Sequence, residues 1–289
     1  MDIGIALLMT QHDFNTIGLA QKVEELGFES LWAPEHGIVP LDFKVAPAIG
    51  QQGGIPKFYA EGGINQIIDP LLFLAGAATV TKKIKLGTGI CLVPERNPIR
   101  LAKEVATLDR ISNGRFLFGV GAGWLKGESE ILGVDFPSRW KQTREYIDVM
   151  KELWTTDISE FHGKYIDFPP LICDPKPVQK PHPPVLLGGN AKNVLQRVAR
   201  WGDGWLPNRA TPDQILESKK ILETLEFERG RETGSLTISV FGQAPDTSRQ
   251  QVEDYLNAGA LRVSAWAPHC ETEEKMSEEL ERMAENMIR

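Results

Sequence analysis

The amino-acid sequence predicts an α/β protein, a single (β/α)8 TIM barrel that takes up residues 1–289. Short apolar and β-branched runs alternate with helical patterns along nearly the whole chain, which is typical of βα units around a parallel sheet. Eight strands and eight helices can be counted, a number that suits a closed barrel, and no linker separates two domains. The length agrees, because α/β barrels run to about 250 residues as one domain.

The predicted strands are short apolar runs spread along the chain. In chain order they are Ile3–Leu8, Ser30–Ala33, Ile84–Ile90, Arg115–Val120, Pro184–Leu187, Gly204–Leu206, Leu236–Phe241 and Leu261–Trp266.

Helix starts and stops between these strands have clear signals. Three helical patterns begin with a capping side chain followed by a proline, which is favoured at the first position of a helix. These pairs are Asp69-Pro70, Asn97-Pro98 and Thr211-Pro212. Gly27 and Gly114 follow the ends of two helical patterns, where glycine is the preferred stop.

Two stretches fit no regular element and are predicted to be insertions, after the second and the fourth strand. They are residues 37–68, rich in Gly and Pro, and residues 155–183, in which a small hairpin is predicted around His162-Gly163-Lys164. We expect both insertions to lie over the mouth of the barrel, where they would limit the access of water.

Composition argues against several classes of function. The formal net charge is -7 and no Lys/Arg run occurs, so binding to nucleic acid or to an anionic membrane surface is not expected. The N-terminus lacks a basic region, and no apolar run reaches the roughly 18 residues that span a bilayer. Three scattered cysteines (Cys91, Cys173 and Cys270) form neither a disulfide framework nor a CxxC pair, which predicts a reduced, cytoplasmic protein.

The active site of a βα barrel lies at the C-terminal ends of its strands, which restricts the search to a few loops. No predicted strand ends in a lysine, no HxH pair follows the first strand, and the loops hold no carboxylate cluster and no nucleophile elbow. A Schiff-base aldolase and a metal-dependent hydrolase are therefore poorly supported, and no metal site is predicted. Glycines, one His–Glu pair and apolar side chains suit a site where a bound cofactor carries the reaction.

Two glycine-rich loops are candidates for ligand binding. Gly188-Gly189-Asn190, after the fifth strand, would let backbone N–H groups approach a phosphate at the start of a helix. The same residues also fit a tight turn with Asn190 as the helix cap, which needs no ligand. Gly121-Ala122-Gly123, after the fourth strand, leaves room beside a strand end.

His36 is the candidate for proton transfer. It follows the second strand directly, and an imidazole can donate or accept a proton near neutral pH. Alternatively it is an ordinary hydrogen-bonding residue. Glu35 either orients His36 or pairs with a basic side chain.

In these residues and the stretches around them, the chain resembles the luciferase-like monooxygenase superfamily, and especially its coenzyme F420-dependent oxidoreductase branch. The strongest stretch runs from Leu86 to Glu128 and reads LGTGICLVPERNPIRLAKEVATLDRISNGRFLFGVGAGWLKGE. Supporting stretches are EELGFESLWAPEH, KPVQKPHPPVLLGGNA and RVARWGDGWLP, in the same order and spacing.

The resemblance implies roles for these residues. In relatives with the LGT pattern the third strand ends in a bulge with a non-proline cis peptide that backs the flavin ring, and here this follows Thr88 as Gly89-Ile90. His36 would lie near the reactive ring, Gly121–Gly123 would form a wall of the ring pocket, and Gly188–Asn190 would hold the cofactor phosphate.

At one position the residue differs from the one found in the sugar-phosphate dehydrogenases of this branch. They place a catalytic Glu where this chain has Trp124. Trp124 predicts an apolar or aromatic substrate pocket instead, to which Cys91, just after the third strand, is also assigned.

The resemblance thus implies a cytoplasmic redox enzyme that moves a hydride between a flavin or deazaflavin and a small organic substrate, with His36 handling the proton. With reduced FMN and oxygen it would be a monooxygenase, and with coenzyme F420 a dehydrogenase or reductase. Relatives are commonly dimers, so a homodimer is expected. Two alternatives stay open: a phosphate-binding barrel lyase or isomerase, and a non-catalytic flavin-binding barrel.

Overall fold

The computed structural model describes residues 1–10, 15–41, 63–270 and 272–289, and eleven strands lie within these ranges. They are β1 (Asp2–Ala6), β2 (Ser30–Ala33), β3 (Lys85–Thr88), β4 (Cys91–Leu92), β5 (Phe116–Gly121), β6 (Ser159–His162), β7 (Asp167–Leu171), β8 (Val185–Gly188), β9 (Gly204–Leu206), β10 (Thr237–Gln243) and β11 (Arg262–Trp266).

Nine α-helices lie in the same ranges, one more than the sequence predicts. They are α1 (Thr16–Glu25), α2 (Pro70–Val80), α3 (Pro98–Ile111), α4 (Lys126–Ile131), α5 (Arg139–Thr155), α6 (Val194–Trp201), α7 (Pro212–Glu228), α8 (Arg249–Asn257) and α9 (Glu273–Met287). The predicted starts are confirmed, because the side chains of Asp69, Asn97 and Thr211 accept hydrogen bonds from the first turns of α2, α3 and α7. The additional helix is the short α4.

The parallel strands close into a barrel, which confirms the predicted fold. Around the ring the order is β3, β2, β1, β11, β10, β9, β8 and β5, and β3 pairs with β5 to close it. The predicted third strand is broken in two: β4 follows β3 after the Gly89–Ile90 peptide and also pairs with β5. The barrel therefore has eight strand positions, the third of which is interrupted at its C-terminal end.

A single tryptophan fills much of the space between the first three strands. Trp32 is fully buried, and its indole N–H donates to the hydroxyl of Ser30 at 2.9 Å. A Cβ at Gly87 would overlap the Trp32 ring, and one at Gly4 would lie 2.9 Å from the indole nitrogen. Glycine at these two strand positions thus lets the large ring pack inside the barrel.

The hairpin of the insertion at residues 155–183 packs beside α5, and the part after the hairpin reaches the end of the barrel opposite the mouth. This predicted hairpin is formed by β6 and β7. After the hairpin, the N–H groups of Val178 and Gln179 donate to Asp109 at 2.7 and 2.9 Å, and the Gln179 amide donates to the carbonyl of Phe116, the first residue of β5, at 2.8 Å. The expectation that this segment covers the mouth is wrong, because it follows a helix, and the helices of a βα barrel return the chain to the N-terminal end of the strands. The other insertion, residues 37–68, lies largely outside the described residues.

Candidate active site

A cavity of about 340 Å³ opens at the C-terminal ends of the strands, where the sequence predicts the site. The predicted residues that line it are Glu35, His36, Gly89, Ile90, Gly121, Ala122, Gly123, Trp124, Gly188, Gly189 and Asn190. The lining also includes Pro34, Leu92, Trp140, Leu206, Asn208, Arg209, Phe241 and Trp266, which the sequence analysis did not assign to the site. The cavity therefore combines a mainly apolar wall with a few polar groups, as ligand pockets generally do.

The interrupted third strand supplies one wall of the cavity. The Gly89–Ile90 peptide is cis, which confirms that prediction. The Ile90 side chain lies between two of the glycine loops: a Cβ at Gly121 would overlap its Cδ1, and one at Gly188 would lie 2.7 Å from its Cγ2. These two glycines thus make room for Ile90.

Thr88 and Cys91, on either side of that peptide, lie outside the cavity lining. The Thr88 hydroxyl donates to the carbonyl of Gly119 at 2.7 Å, so this buried residue joins β3 to β5. Cys91 is fully buried in the main hydrophobic core. Its assignment to the substrate pocket is wrong, because the strand alternation after the break points its side chain into that core and not toward the ligand space.

Aromatic rings border the cavity beside Gly89. Phe241 lies so close that a Cβ at Gly89 would be 2.6 Å from its ring. Trp266 meets Phe241 edge to face, with ring centroids 5.2 Å apart. These rings and Ile90 give a flat ligand an apolar surface to lie against.

His36 is held by a carboxylate that the sequence analysis did not single out. Its Nδ1 lies 2.7 Å from Oε2 of Glu128, in the first turn of α4, and the two side chains are only 4% and 1% exposed. The other oxygen, Oε1, accepts from the N–H groups of Gly37 and Ile38 at 2.6 and 3.2 Å. We assign Nδ1–H as the donor of the pair, because a carboxylate oxygen can only accept.

Glu35 pairs with a basic side chain, the second of its two predicted alternatives. Its Oε1 accepts from Nε of Arg96 at 2.6 Å, and its Oε2 accepts from the N–H of Leu92 at 2.6 Å. Arg96 also reaches Asp69 at 2.6 Å. Glu35 thus fixes the chain just after the cis peptide, and Glu128 holds His36.

Glu95 is a third, partly buried carboxyl group beside this region. The hydroxyl of Ser129 donates to its Oε1 at 2.7 Å. Burial raises the pKa of Glu95 to about 8, the hydrogen bond from Ser129 lowers it in part, and the charges of Glu128 and Glu35 raise it further. Glu95 therefore keeps its proton at neutral pH.

The prediction that the mouth holds no carboxylate cluster is wrong. The charges of Glu35 and Glu128 both raise the pKa of Glu95, although the three residues come from separate parts of the chain and no short motif links them. Within the described ranges no group of His, Cys, Asp and Glu side chains is arranged to hold a metal ion.

Two further predicted residues, Trp124 and Asn190, lie at the rim of the cavity and contact different neighbours. Trp124 lines the cavity and meets the His36 ring edge to face, with centroids 5.5 Å apart. The side-chain amide of Asn190 donates to the carbonyl of Asn208 at 2.6 Å and accepts from its N–H at 3.1 Å. The alternative in which Asn190 caps a helix is wrong, because α6 begins at Val194 after its cap Asn193.

Comparison with known proteins agrees with this geometry. The family model for luciferase-like monooxygenases matches residues 6–288. The chain belongs to the luciferase-like monooxygenase family.

Members and structural neighbours of the luciferase-like family differ in cofactor. An uncharacterized protein of Mycobacterium tuberculosis is 35% identical over 234 residues, which are 80% of each chain. The coenzyme F420-dependent tetrahydromethanopterin reductase from Methanopyrus kandleri is 18% identical with a TM-score of 0.74, covering 99% of this chain and 98% of the reductase. The oxygenating constituent of 3,6-diketocamphane monooxygenase from Pseudomonas putida, in complex with FMN, is 17% identical with a TM-score of 0.73, covering 99% and 98%. These two structures share the barrel fold with this family member.

Proposed function

We propose that this protein is an oxidoreductase that holds FMN or coenzyme F420 in the cavity at the barrel mouth and acts on a small organic substrate. The observation that carries the proposal is the buried His36–Glu128 pair at the edge of a cavity that Ile90 and aromatic rings border. Family membership supports the redox class, because luciferase-like monooxygenases are oxidoreductases.

The residues present fit a flat ring cofactor. Glycines stand at the ends of β5 and β8, and the side chains of Ile90 and Phe241 form apolar surfaces next to them. When bound, the ring would supply the hydride chemistry, which no side chain can provide. Gly188–Asn190 remain the proposed place for its phosphate.

His36 would move the proton that accompanies the hydride. Glu128 accepts a hydrogen bond from Nδ1–H and so fixes the ring, and we assign proton exchange with the substrate to the Nε2 edge. The edge of Trp124 limits rotation of the imidazole and keeps water from this side. Trp124 also gives the substrate an aromatic surface, as its position in the sequence predicts.

A His36→Ala variant tests the proton role. We expect cofactor affinity to stay within about tenfold of wild type while turnover falls by about 100-fold or more, the usual size of a general acid–base contribution. Turnover would be measured with the best substrate from a screen of small alcohols, ketones and aromatic compounds. Unchanged turnover would show that the proton role is wrong.

We also propose a cytoplasmic homodimer. All three cysteines are buried and are not joined in disulfides, which suits a reducing compartment. In the part of the chain that the structure describes, none of the helices is long and apolar enough to cross a membrane.

A further inference from the structure

The segment after the cis peptide ends in two consecutive charged residues, Glu95 and Arg96, that contact different parts of the site. A short 3-10 helix, Val93–Glu95, follows β4, and Arg96 comes directly after it. Neither charged residue belongs to the described residues that line the cavity. Any influence that they have on a ligand must therefore pass through the residues that they contact.

Arg96 holds the strand end that carries His36. Its Nε donates to Oε1 of Glu35 at 2.6 Å, and its Nη2 contacts the same oxygen. Nη2 also donates to Asp69, the N-cap of α2, at 2.6 Å. Glu35 is only 8% exposed, and its other oxygen accepts from the N–H of Leu92. One guanidinium thus ties the residue before His36 to the start of α2.

Glu95 holds the short helix that carries Glu128. Ser129, the next residue in α4, is fully buried, and its hydroxyl donates to Oε1 of Glu95 at 2.7 Å. A Cβ at Gly123 would lie 2.8 Å from the same oxygen, so Glu95 also packs against the loop after β5. Because a helix of six residues has little stability of its own, this contact helps to fix the place of Glu128.

Both sets of contacts meet at the imidazole of His36. Glu35 precedes His36 in the chain, and Oε2 of Glu128 lies 2.7 Å from its Nδ1. The other oxygen of Glu128 accepts from the N–H of Gly37, so the chain is held on both sides of the histidine. The orientation of the ring therefore depends on two carboxylates, each of which is fixed by one of the consecutive residues 95 and 96.

We propose that Glu95 and Arg96 are positioning residues that orient the His36 ring, Arg96 through Glu35 and Glu95 through the helix of Glu128. The inference rests on the proposed function, in which His36 exchanges a proton with the substrate. A misplacement of about 1 Å at a catalytic group can cost about a hundredfold in rate. Loss of either contact should therefore slow turnover although no ligand contact is removed.

The test follows the His36 ring itself in the apo-protein and then the kinetics. Histidine is isotope-labelled for nitrogen NMR, and a His36→Ala sample identifies the His36 signals among those of the five histidines. The disrupting variants are Arg96→Met and Glu95→Leu. Glu95→Gln is the conservative variant, because the amide keeps an acceptor for Ser129 and resembles the neutral carboxyl group. Arg200→Met, at an exposed position of α6, is the control.

We expect wild type and Arg200→Met to show one neutral tautomer of His36, with its proton on Nδ1. Arg96→Met and Glu95→Leu should show a mixture of the two tautomers. Their kcat should fall by about tenfold or more, while the Kd of FMN or coenzyme F420 stays within about threefold of wild type. Glu95→Gln should recover most of the kcat that Glu95→Leu loses.

Several results would overturn the inference. One is a wild-type tautomer and a wild-type kcat in folded Arg96→Met and Glu95→Leu, and another is a lower kcat with the tautomer unchanged. If Arg96→Met does not fold, Arg96→Lys replaces it with the same expectations, because an ammonium lacks the planar fork that holds Glu35 and Asp69 together. If neither cofactor binds wild type while the tautomer still responds to the variants, the proposed function fails and the positioning of the ring stands.

Discussion

At the scale of single residues, the proposed proton transfer depends on which edge of the His36 ring faces the ligand. Glu128 decides this, because it is almost fully buried and holds Nδ1 at 2.7 Å. The sequence alone does not show the pair, since 92 residues separate the two positions and Glu128 lies in a short helix without apolar periodicity. Glu35, the neighbour of His36 in sequence, points to Arg96 instead.

A Glu128→Gln variant should reduce turnover by about tenfold to a hundredfold, because the amide presents one acceptor fewer and the imidazole loses its fixed orientation. Cofactor affinity should change little, and the pH–rate profile should shift. Steady-state kinetics across pH measures both effects, with Glu130→Gln on the exposed face of the same helix as the control. Equal profiles for Glu128→Gln and wild type would remove Glu128 as the positioning residue.

Glu95 makes stability depend on pH in a predictable direction. Its pKa is about 8 in the folded protein and near 4.5 when unfolded, so between these values only the folded state holds the proton. Stability from this group is therefore present at low pH and is lost as the pH rises toward 8. Glu95→Gln should flatten the fall in melting temperature between pH 5 and pH 9, roughly the span of these pKa values, and should melt higher than wild type at the alkaline end. The exposed Glu217→Gln should keep the wild-type slope; parallel curves for all three proteins would contradict the assigned pKa.

At the scale of elements, the helix caps and most strands could be predicted because their signals are local. Asp69, Asn97 and Thr211 cap their helices by bonds to residues two or three positions away. The break between β3 and β4 came from family resemblance, since nothing in the local pattern interrupts the apolar run. The place of residues 155–183 was missed because the insertion was assigned to a strand exit although it follows a helix.

The contact between Ile90 and Gly121 predicts a coupled pair of substitutions. Gly121→Ala should destabilise the protein by about 1–3 kcal/mol, the usual cost of overpacking, because the new Cβ overlaps Ile90. In an Ile90→Ala background the same change should cost much less, since the space is then available. Thermal or denaturant unfolding of the four proteins measures the coupling. Additive effects would show that Ile90 does not occupy this space.

At the scale of the whole molecule, we expect the proposed homodimer to form through the outer face of α2 and α3. The sequence of α2, PLLFLAGAATV, is apolar on nearly every face, and Leu72 is 76% exposed. The groove beside it also holds Arg100 and Glu104, so the surface carries both signs of charge and can pair with a copy of itself.

Leu72→Glu should therefore convert a dimer to a monomer, because it places a charge in the apolar centre of that surface. Sedimentation velocity measures the change. Phe227→Glu, which alters an equally exposed apolar side chain on α7, should leave the dimer intact. A monomeric wild type, or a dimer that survives Leu72→Glu, would contradict this interface.

The proposed function depends on the cavity at the barrel mouth being a cofactor site, and a binding measurement tests this most directly. Apo-protein should be titrated with FMN and coenzyme F420 side by side, with FMN fluorescence and F420 absorbance as signals. We expect one of them to bind with a Kd of about 1 μM or below, which corresponds to about -8 kcal/mol. If neither cofactor binds to protein that is demonstrably folded, the cavity is not a flavin or deazaflavin site and the proposed function is wrong.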